Sequence, residues 1–146
     1  MASLKSERGA ELLEFALVLP VLLLILGGIL DMGFLFKDYE VLTNAAREGA
    51  RMAALPGWVA SDVQSRIDSY LSAGGFQGTT TTTIDQVTLI TDPTSGRSIN
   101  GVKVTVSGSH TYLILGPLLQ LVQGGAALNT TLRAAATMRV EMAAGL

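Results

Sequence analysis

Sixteen consecutive uncharged residues, Phe15–Leu30, constrain this chain more than any other feature. Twelve of them are Leu, Ile, Val or Phe, and at roughly −0.3 to −0.6 kcal/mol each they contribute about −4 to −7 kcal/mol to membrane insertion. As an α-helix the run is ~24 Å long, and apolar neighbours extend it towards the ~30 Å hydrocarbon core. Pro20 is expected to bend this helix without ending it, because lipid offers the backbone no other hydrogen-bonding partner. The run therefore predicts a transmembrane helix over residues 10–36.

The charges around this helix predict its orientation. Lys5, Arg8 and the starting amine lie on its N-terminal side, and positively charged flanks remain in the cytoplasm. The end of the run, Gly27–Asp31, is a poor secretory cleavage site, so the segment is expected to be retained. Asp31 is interpreted as a boundary marker at the outer headgroups, in preference to part of an ion path. Residues 37–146 are then expected to form one domain outside the cytoplasm.

Composition limits what that domain can do. The 146 residues carry a net charge of −2 and no Cys, which excludes disulfides and thiolate metal sites. Residues 37–146 hold eight basic and eight acidic side chains, so no nucleic-acid partner is predicted. The single His, His110, is interpreted as a partly buried strand residue. No paired carboxylates, phosphate-binding loop or metal-ligand motif occurs in the sequence, and we predict neither enzymatic activity nor a cofactor.

Helical periodicity continues past the membrane segment. With Pro56 as its stop signal, one helix is predicted over Glu11–Leu55. Within it Ala45, Gly49 and Ala53 lie four residues apart. Small residues at this spacing permit close helix packing, either on the chain's own sheet or between neighbouring helices of a filament.

Two further helical signals are local. Ser61 is predicted to cap a short helix over Asp62–Leu71, which Gly74 ends. On the preceding helix, Glu48 can pair with Arg51 or with residues across an interface, and a solvated face is the preferred interpretation.

Alternating residues predict a small antiparallel sheet. A half-buried strand is predicted over Val102–Val106 and onward towards Tyr112. In Leu128–Met142 a period of two persists over fifteen residues, which outweighs the helix propensity of its Ala, Met, Arg and Glu. Gln86–Thr91 is a further predicted strand, whereas Thr79–Thr83 suits a strand or a polar loop equally. The predicted fold class is α+β, with a long N-terminal helix packed on a small antiparallel sheet.

The connection Leu113–Val122 is unusually apolar. The preferred interpretation is a core-facing turn or short helix beneath the sheet, because apolar patches on small domains usually find internal cover. The alternative is a contact surface for lipid or for another subunit.

The start of the chain resembles the processing signal of type IV-like prepilins. In GAELLEF, Gly9 precedes the cut that the resemblance implies, and its lack of a side chain lets a peptidase approach the backbone. Cleavage would remove the leader Met1–Gly9, make Ala10 the new N-terminus and place Glu14 fifth.

Three segments together resemble the TadE-like family of the tight adherence (Flp) pilus machinery. They are Arg8–Gly33, the AAREGAR run Ala45–Arg51, and ATMRVE at Ala136–Glu141. The resemblance implies a pseudopilin or minor pilin of a bacterial inner membrane. Its implied partners are a prepilin peptidase, sister pilin subunits and the assembly platform. A chain of this length is far longer than the major pilins of that system, which favours an accessory role.

On this reading Glu14 sets the register between subunits. Packed apolar helices exclude water, so its carboxylate requires a positive partner, and the ammonium of Ala10 on a neighbouring subunit would supply one. The alternative for Glu14 is an acid at the helix start, wet by lipid headgroups. The alternative for the whole chain is a permanently anchored scaffold of a secretion complex that never enters a filament.

Overall fold

The computed structural model of the chain describes residues 3–91, 93–94, 98–124 and 128–140. Its elements are α1 (Ser3–Ala53), α2 (Ala60–Ala73), β1 (Thr80–Thr91), β2 (Ser98–Thr111), α3 (Leu115–Gln123) and β3 (Asn129–Arg139). They fall into two compact units. One, here called the apolar unit, comprises Met1–Phe34 and Tyr112–Leu128, and the other, the sheet unit, comprises Leu35–Thr111 and Asn129–Leu146. The predicted α+β class is confirmed.

A single helix, α1, accounts for the first third of the chain and continues past Pro20, as predicted. It starts at Ser3, ahead of the predicted start at Glu11. Residues 3–10 contain no proline, so nothing in this stretch interrupts the helix. It ends at Ala53, two residues before the predicted end. The N–H of Leu55 donates to the carbonyl of Met52 at 3.2 Å, so the last turn is tightened to a 3₁₀-type bond.

The sheet has the order β1-β2-β3, and both neighbouring pairs are antiparallel. At its centre Val104 lies opposite Ile84 on β1 and Ala136 on β3. The strand predicted from the period of two is confirmed, although residues beyond Val140 lie outside the described part of the chain. β1 already begins at Thr80, which resolves the threonine run as strand, since β-branched residues suit a pleated surface.

The second helix is longer than predicted, and its predicted Ser61 cap is wrong. Val59 occupies the N-cap position without a side-chain cap bond. Its carbonyl already accepts hydrogen bonds from the N–H groups of Asp62, at 3.1 Å, and Val63, at 3.3 Å. The helix therefore begins directly after Val59, ahead of the predicted cap, and Ser61 lies inside its first turn. The buried face of α2 consists of Val63, Ile67 and Leu71.

The core of the sheet unit lies where α1, α2 and β2 meet. Apart from Leu42, the fully buried α1 residues of this core are small: Ala45, Ala46, Gly49, Ala50 and Ala53. A Cβ added to Gly49 would lie 2.7 Å from Cδ1 of Ile67 and 3.3 Å from Cγ1 of Val104. The missing side chain therefore permits α1 to approach α2 and the sheet at the same point. In this structure the small residues serve packing within one chain.

Gly49→Val is expected to lower the free energy of unfolding of the sheet unit by about 1–3 kcal/mol, because the added atoms overpack the contact with Ile67. Denaturant unfolding of the full chain in detergent, followed by fluorescence of Trp58, the single Trp, measures this change. The matched control is Glu40→Val, which adds the same side chain at an exposed position of α1 and is expected to change stability by less than ~0.5 kcal/mol. Equal unfolding midpoints for the two variants would contradict the close-packing role of Gly49.

Candidate functional site: the apolar helix and its carboxylates

The first half of α1 carries apolar surface that the described residues leave uncovered. Its most apolar 18-residue window has a mean hydropathy of 2.6, and only 6% of that window is buried. Exposed members of this surface include Leu12, Phe15, Leu17, Val21, Leu23, Ile25 and Ile29. A core helix of a soluble protein would bury such a face against other elements. The helix is long and apolar enough to cross a membrane, which is consistent with a single-pass membrane anchor.

The residues predicted at the processing junction are all exposed on α1. Around Gly9 the space is open, with nothing within 4 Å of a Cβ built there. Ala10 and Glu14 lie one helical turn apart and so share a face of the helix. None of the side chains that the structure describes forms an ion pair with Glu14. Pro20 lies on the exposed apolar surface, inside the helix.

Asp31, at the other end of the apolar run, is buried and hydrogen-bonded. Its side chain is 1% exposed. Oδ1 accepts from the N–H groups of Leu113 at 3.0 Å and Ile114 at 3.1 Å. Oδ2 accepts from Ile114 at 3.1 Å and Leu115 at 2.7 Å. The carboxylate of Asp31 therefore caps the start of α3, a role that the prediction of a boundary marker at the outer headgroups does not include.

Two α1 residues that lie one turn apart, Gly27 and Asp31, contact the start of α3. Asp31 caps its N-terminus, and four residues earlier Gly27 is buried beneath Ile114. A Cβ at Gly27 would lie 2.6 Å from Cγ2 of Ile114, so only glycine leaves room for this side chain. The close approach at Gly27 and the cap at Asp31 together fix α3 against α1 within the apolar unit.

The apolar connection Leu113–Val122 was predicted to be a core-facing turn or short helix. It forms a helix, but this helix does not face a core. Leu113 is 67% exposed, and Leu118 and Leu119 are 37% and 36% exposed. The segment also belongs to the apolar unit and not to the unit that contains the sheet. The core-facing interpretation is therefore wrong.

A signal for this arrangement was present in the sequence. The residues before α3, Tyr112–Ile114, include none of the Ser, Thr, Asp or Asn side chains that usually cap a helix. A helix start without a local cap requires an acceptor from elsewhere. Asp31 is the single acidic residue between Glu14 and Asp38, so it was the candidate at the end of the apolar run.

In the sheet unit, His110 lies on the buried face of β2, as its parity with the strand valines predicts. Its Nδ1 is 2.7 Å from Oδ2 of Asp38 on α1. This hydrogen bond ties the helix to the central strand. Across the described residues no cluster of three or more His, Asp or Glu side chains is arranged to hold a metal ion.

Glu48 joins α1 to α2. Its Oε1 accepts from Nε of Arg66 at 3.2 Å and from Nη2 at 3.0 Å, while Nε of Arg51 lies 3.3 Å from Oε2. The Glu48 side chain is only 16% exposed, so the predicted solvated face does not hold at this position. The Arg51 partner is largely in solvent and adds little stability.

These features define an α+β protein with an N-terminal helix of membrane-spanning length. The family model described as TadE-like protein matches residues 9–51. This match confirms the resemblance to the TadE-like family over the junction at Gly9, the apolar run and the small-residue segment that ends at Arg51. It points to a role in tight adherence pilus-related systems. No curated protein and no solved structure matches the chain.

Asp31→Ala is expected to release the N–H groups of Leu113, Ile114 and Leu115 and to speed their hydrogen exchange by at least about tenfold. Each bond to a charged acceptor contributes ~1.5–3 kcal/mol, and about 1.4 kcal/mol corresponds to a factor of ten. Hydrogen–deuterium exchange of the full chain in micelles measures this. The control, Glu11→Ala, removes an exposed carboxylate of the same helix and should leave these amides unchanged. Unchanged exchange in Asp31→Ala would contradict the capping role.

Proposed function

We propose that this chain is a TadE-like pseudopilin or minor pilin that takes part in the assembly of a tight adherence (Flp, type IVb-like) surface pilus. The observation that carries the proposal is the family match over residues 9–51. It falls on the segment where an exposed apolar helix presents Glu14 one turn beyond Ala10. The role is structural, without catalysis, a cofactor or a nucleic-acid partner.

In this proposal the chain resides in the bacterial inner membrane, with its N-terminus in the cytoplasm and the sheet unit on the periplasmic or extracellular side. Basic residues flank the apolar run on its N-terminal side, which supports this orientation by the positive-inside rule. The exposed apolar surface of α1 supports insertion, because water is a poor solvent for it. Lipid is thus the first partner of the helix.

A prepilin peptidase is proposed to cut between Gly9 and Ala10 at the cytoplasmic face of the membrane. Both residues are exposed, and no side chain obstructs the backbone at Gly9. Cleavage requires the helical turn there to open. Glycine inside a helix costs about 0.5–1 kcal/mol relative to Ala, which favours opening at this position.

Glu14 is proposed to fix the register between neighbouring subunits. Within the described chain its carboxylate has no ion-pair partner, and packing of apolar helices around it would remove its water. The new ammonium of Ala10 on a sister subunit is a suitable partner once the leader is removed. Because an unpaired buried charge is costly, one axial offset between helices is favoured over the others.

Glu14→Ala is expected to leave membrane insertion and leader cleavage intact and to lower incorporation into filaments by about tenfold. This factor corresponds to the loss of ~1.4 kcal/mol from one charge pair per subunit contact. Intact-mass analysis measures cleavage, and quantification of the chain in sheared filaments measures incorporation.

The matched control is Glu11→Ala, which removes the other exposed carboxylate of the same helical segment and should retain wild-type incorporation. Wild-type filament content in Glu14→Ala would contradict the register role. An unprocessed chain that still carries Met1–Gly9 in peptidase-positive cells, and is absent from filaments, would overturn the pilin assignment. That outcome describes a permanently anchored scaffold.

A further inference from the structure

We propose that α3 and its lead-in, residues 113–124, form a second membrane-seated segment, which lies in the outer lipid leaflet beside the outer end of the transmembrane helix. The partner of its exposed leucines is lipid. This inference rests on the proposed membrane anchoring of α1, but not on leader cleavage or on entry into a filament.

The position of α3 along α1 sets its depth. It is held at Asp31 by three backbone N–H groups and at Gly27 by the seat of Ile114. Glu14 and Asp31 are seventeen residues apart, about 25 Å along a helix axis at 1.5 Å per residue. With Glu14 at the cytoplasmic headgroups, Asp31 therefore reaches the outer edge of a ~30 Å hydrocarbon layer.

The composition of the segment fits the same environment. Tyr112–Leu128 contains no charged residue in seventeen positions. The described helix of nine residues is roughly 13 Å long, too short to cross the bilayer. Apolar stretches of this length are typical of buried core helices or of interfacial and re-entrant segments. The exposure of Leu113, Leu118 and Leu119 excludes the first class.

Several backbone N–H groups at the ends of the segment have partners within the chain, as a lipid environment favours. Asp31 accepts from the N–H groups at the start of α3, and Pro117 has no N–H to satisfy. At the other end, Gly124 adopts a left-handed conformation, and its N–H donates to the carbonyl of Gln120 at 2.8 Å. Water can supply such partners at a solvent-exposed helix end, whereas hydrocarbon cannot. A buried carboxylate used as a cap is thus most valuable where water is scarce.

We assign lipid, and not a second copy of the chain, as the partner of the exposed leucines because they continue the apolar face of α1. The exposed leucines of α3 belong to the same compact unit as the uncovered apolar face of α1. A bilayer that covers that face reaches the level of Asp31 and the segment capped there. Burial of an apolar helix face just below the headgroups is the usual mode of interfacial helices.

The absence of Cys allows a site-specific test in the full chain. Leu113→Cys and Leu118→Cys are labelled with an environment-sensitive fluorophore and reconstituted into phosphatidylcholine–phosphatidylglycerol vesicles. Quenching by spin-labelled phosphatidylcholines of known depth is compared with quenching by aqueous iodide. Both labels are expected at a depth of ~5–10 Å below the headgroup boundary, with iodide quenching suppressed.

Two control positions show the quenching expected in water and in the middle of the bilayer. Thr137→Cys, exposed on β3, is expected to be quenched by iodide alone, and Leu23→Cys, midway along the apolar run, by the deepest lipid label. If the two α3 labels behave like Thr137→Cys, the segment lies in water and the inference is overturned. Protection of these labels from both lipid and iodide would indicate a protein cover and would also overturn it. Absence of lipid quenching at Leu23→Cys would instead refute the anchoring in the proposed function, and the inference with it.

Discussion

The uncovered apolar surface of α1 is the feature on which the proposed function depends, because such a surface is consistent with a membrane anchor. Twelve large apolar residues within Phe15–Leu30 lie on a helix that the described residues do not cover. Transfer of these residues into lipid would contribute about −4 to −7 kcal/mol. A bilayer around this segment would in turn favour the helix, because a helix satisfies the backbone hydrogen bonds that lipid cannot. The apolar composition of the run would thus account both for a membrane anchor and for its helical structure.

Two carboxylates bracket this surface, and their environments differ. Asp31 is buried and satisfied by backbone N–H groups of the same chain, so its charge stabilises the start of α3. Glu14 is exposed and has no ion-pair partner among the described side chains. A carboxylate that is hydrogen-bonded within its own chain stabilises the fold. A carboxylate without an ion-pair partner on an apolar helix can bind a group of another subunit. The contrast supports a structural role for Asp31 and is consistent with the intermolecular role proposed for Glu14.

The sequence predicts those parts of the fold that depend on local or periodic signals. The membrane-length helix, the strand with Ala134 and Ala136 on one face, and the burial of His110 all follow from period and composition. The Asp31 cap depends on contacts more than eighty residues apart in sequence, which no periodicity encodes. The start of α2 also differs from the predicted Ser61 cap, since Val59 begins the helix through its backbone carbonyl and no side-chain motif marks it. The register role proposed for Glu14 involves a second subunit, so the structure of one chain does not test it.

Protease accessibility tests the central claim most directly, namely that α1 spans the membrane with the sheet unit outside. Spheroplasts of cells that express the chain with a C-terminal epitope are digested from the periplasmic side, and membranes are then washed with alkaline carbonate. A membrane-spanning α1 in this orientation predicts loss of the epitope and retention of a carbonate-resistant fragment that ends just beyond Phe36. An epitope protected in spheroplasts but digested in inverted vesicles, or a chain released by carbonate, would contradict it.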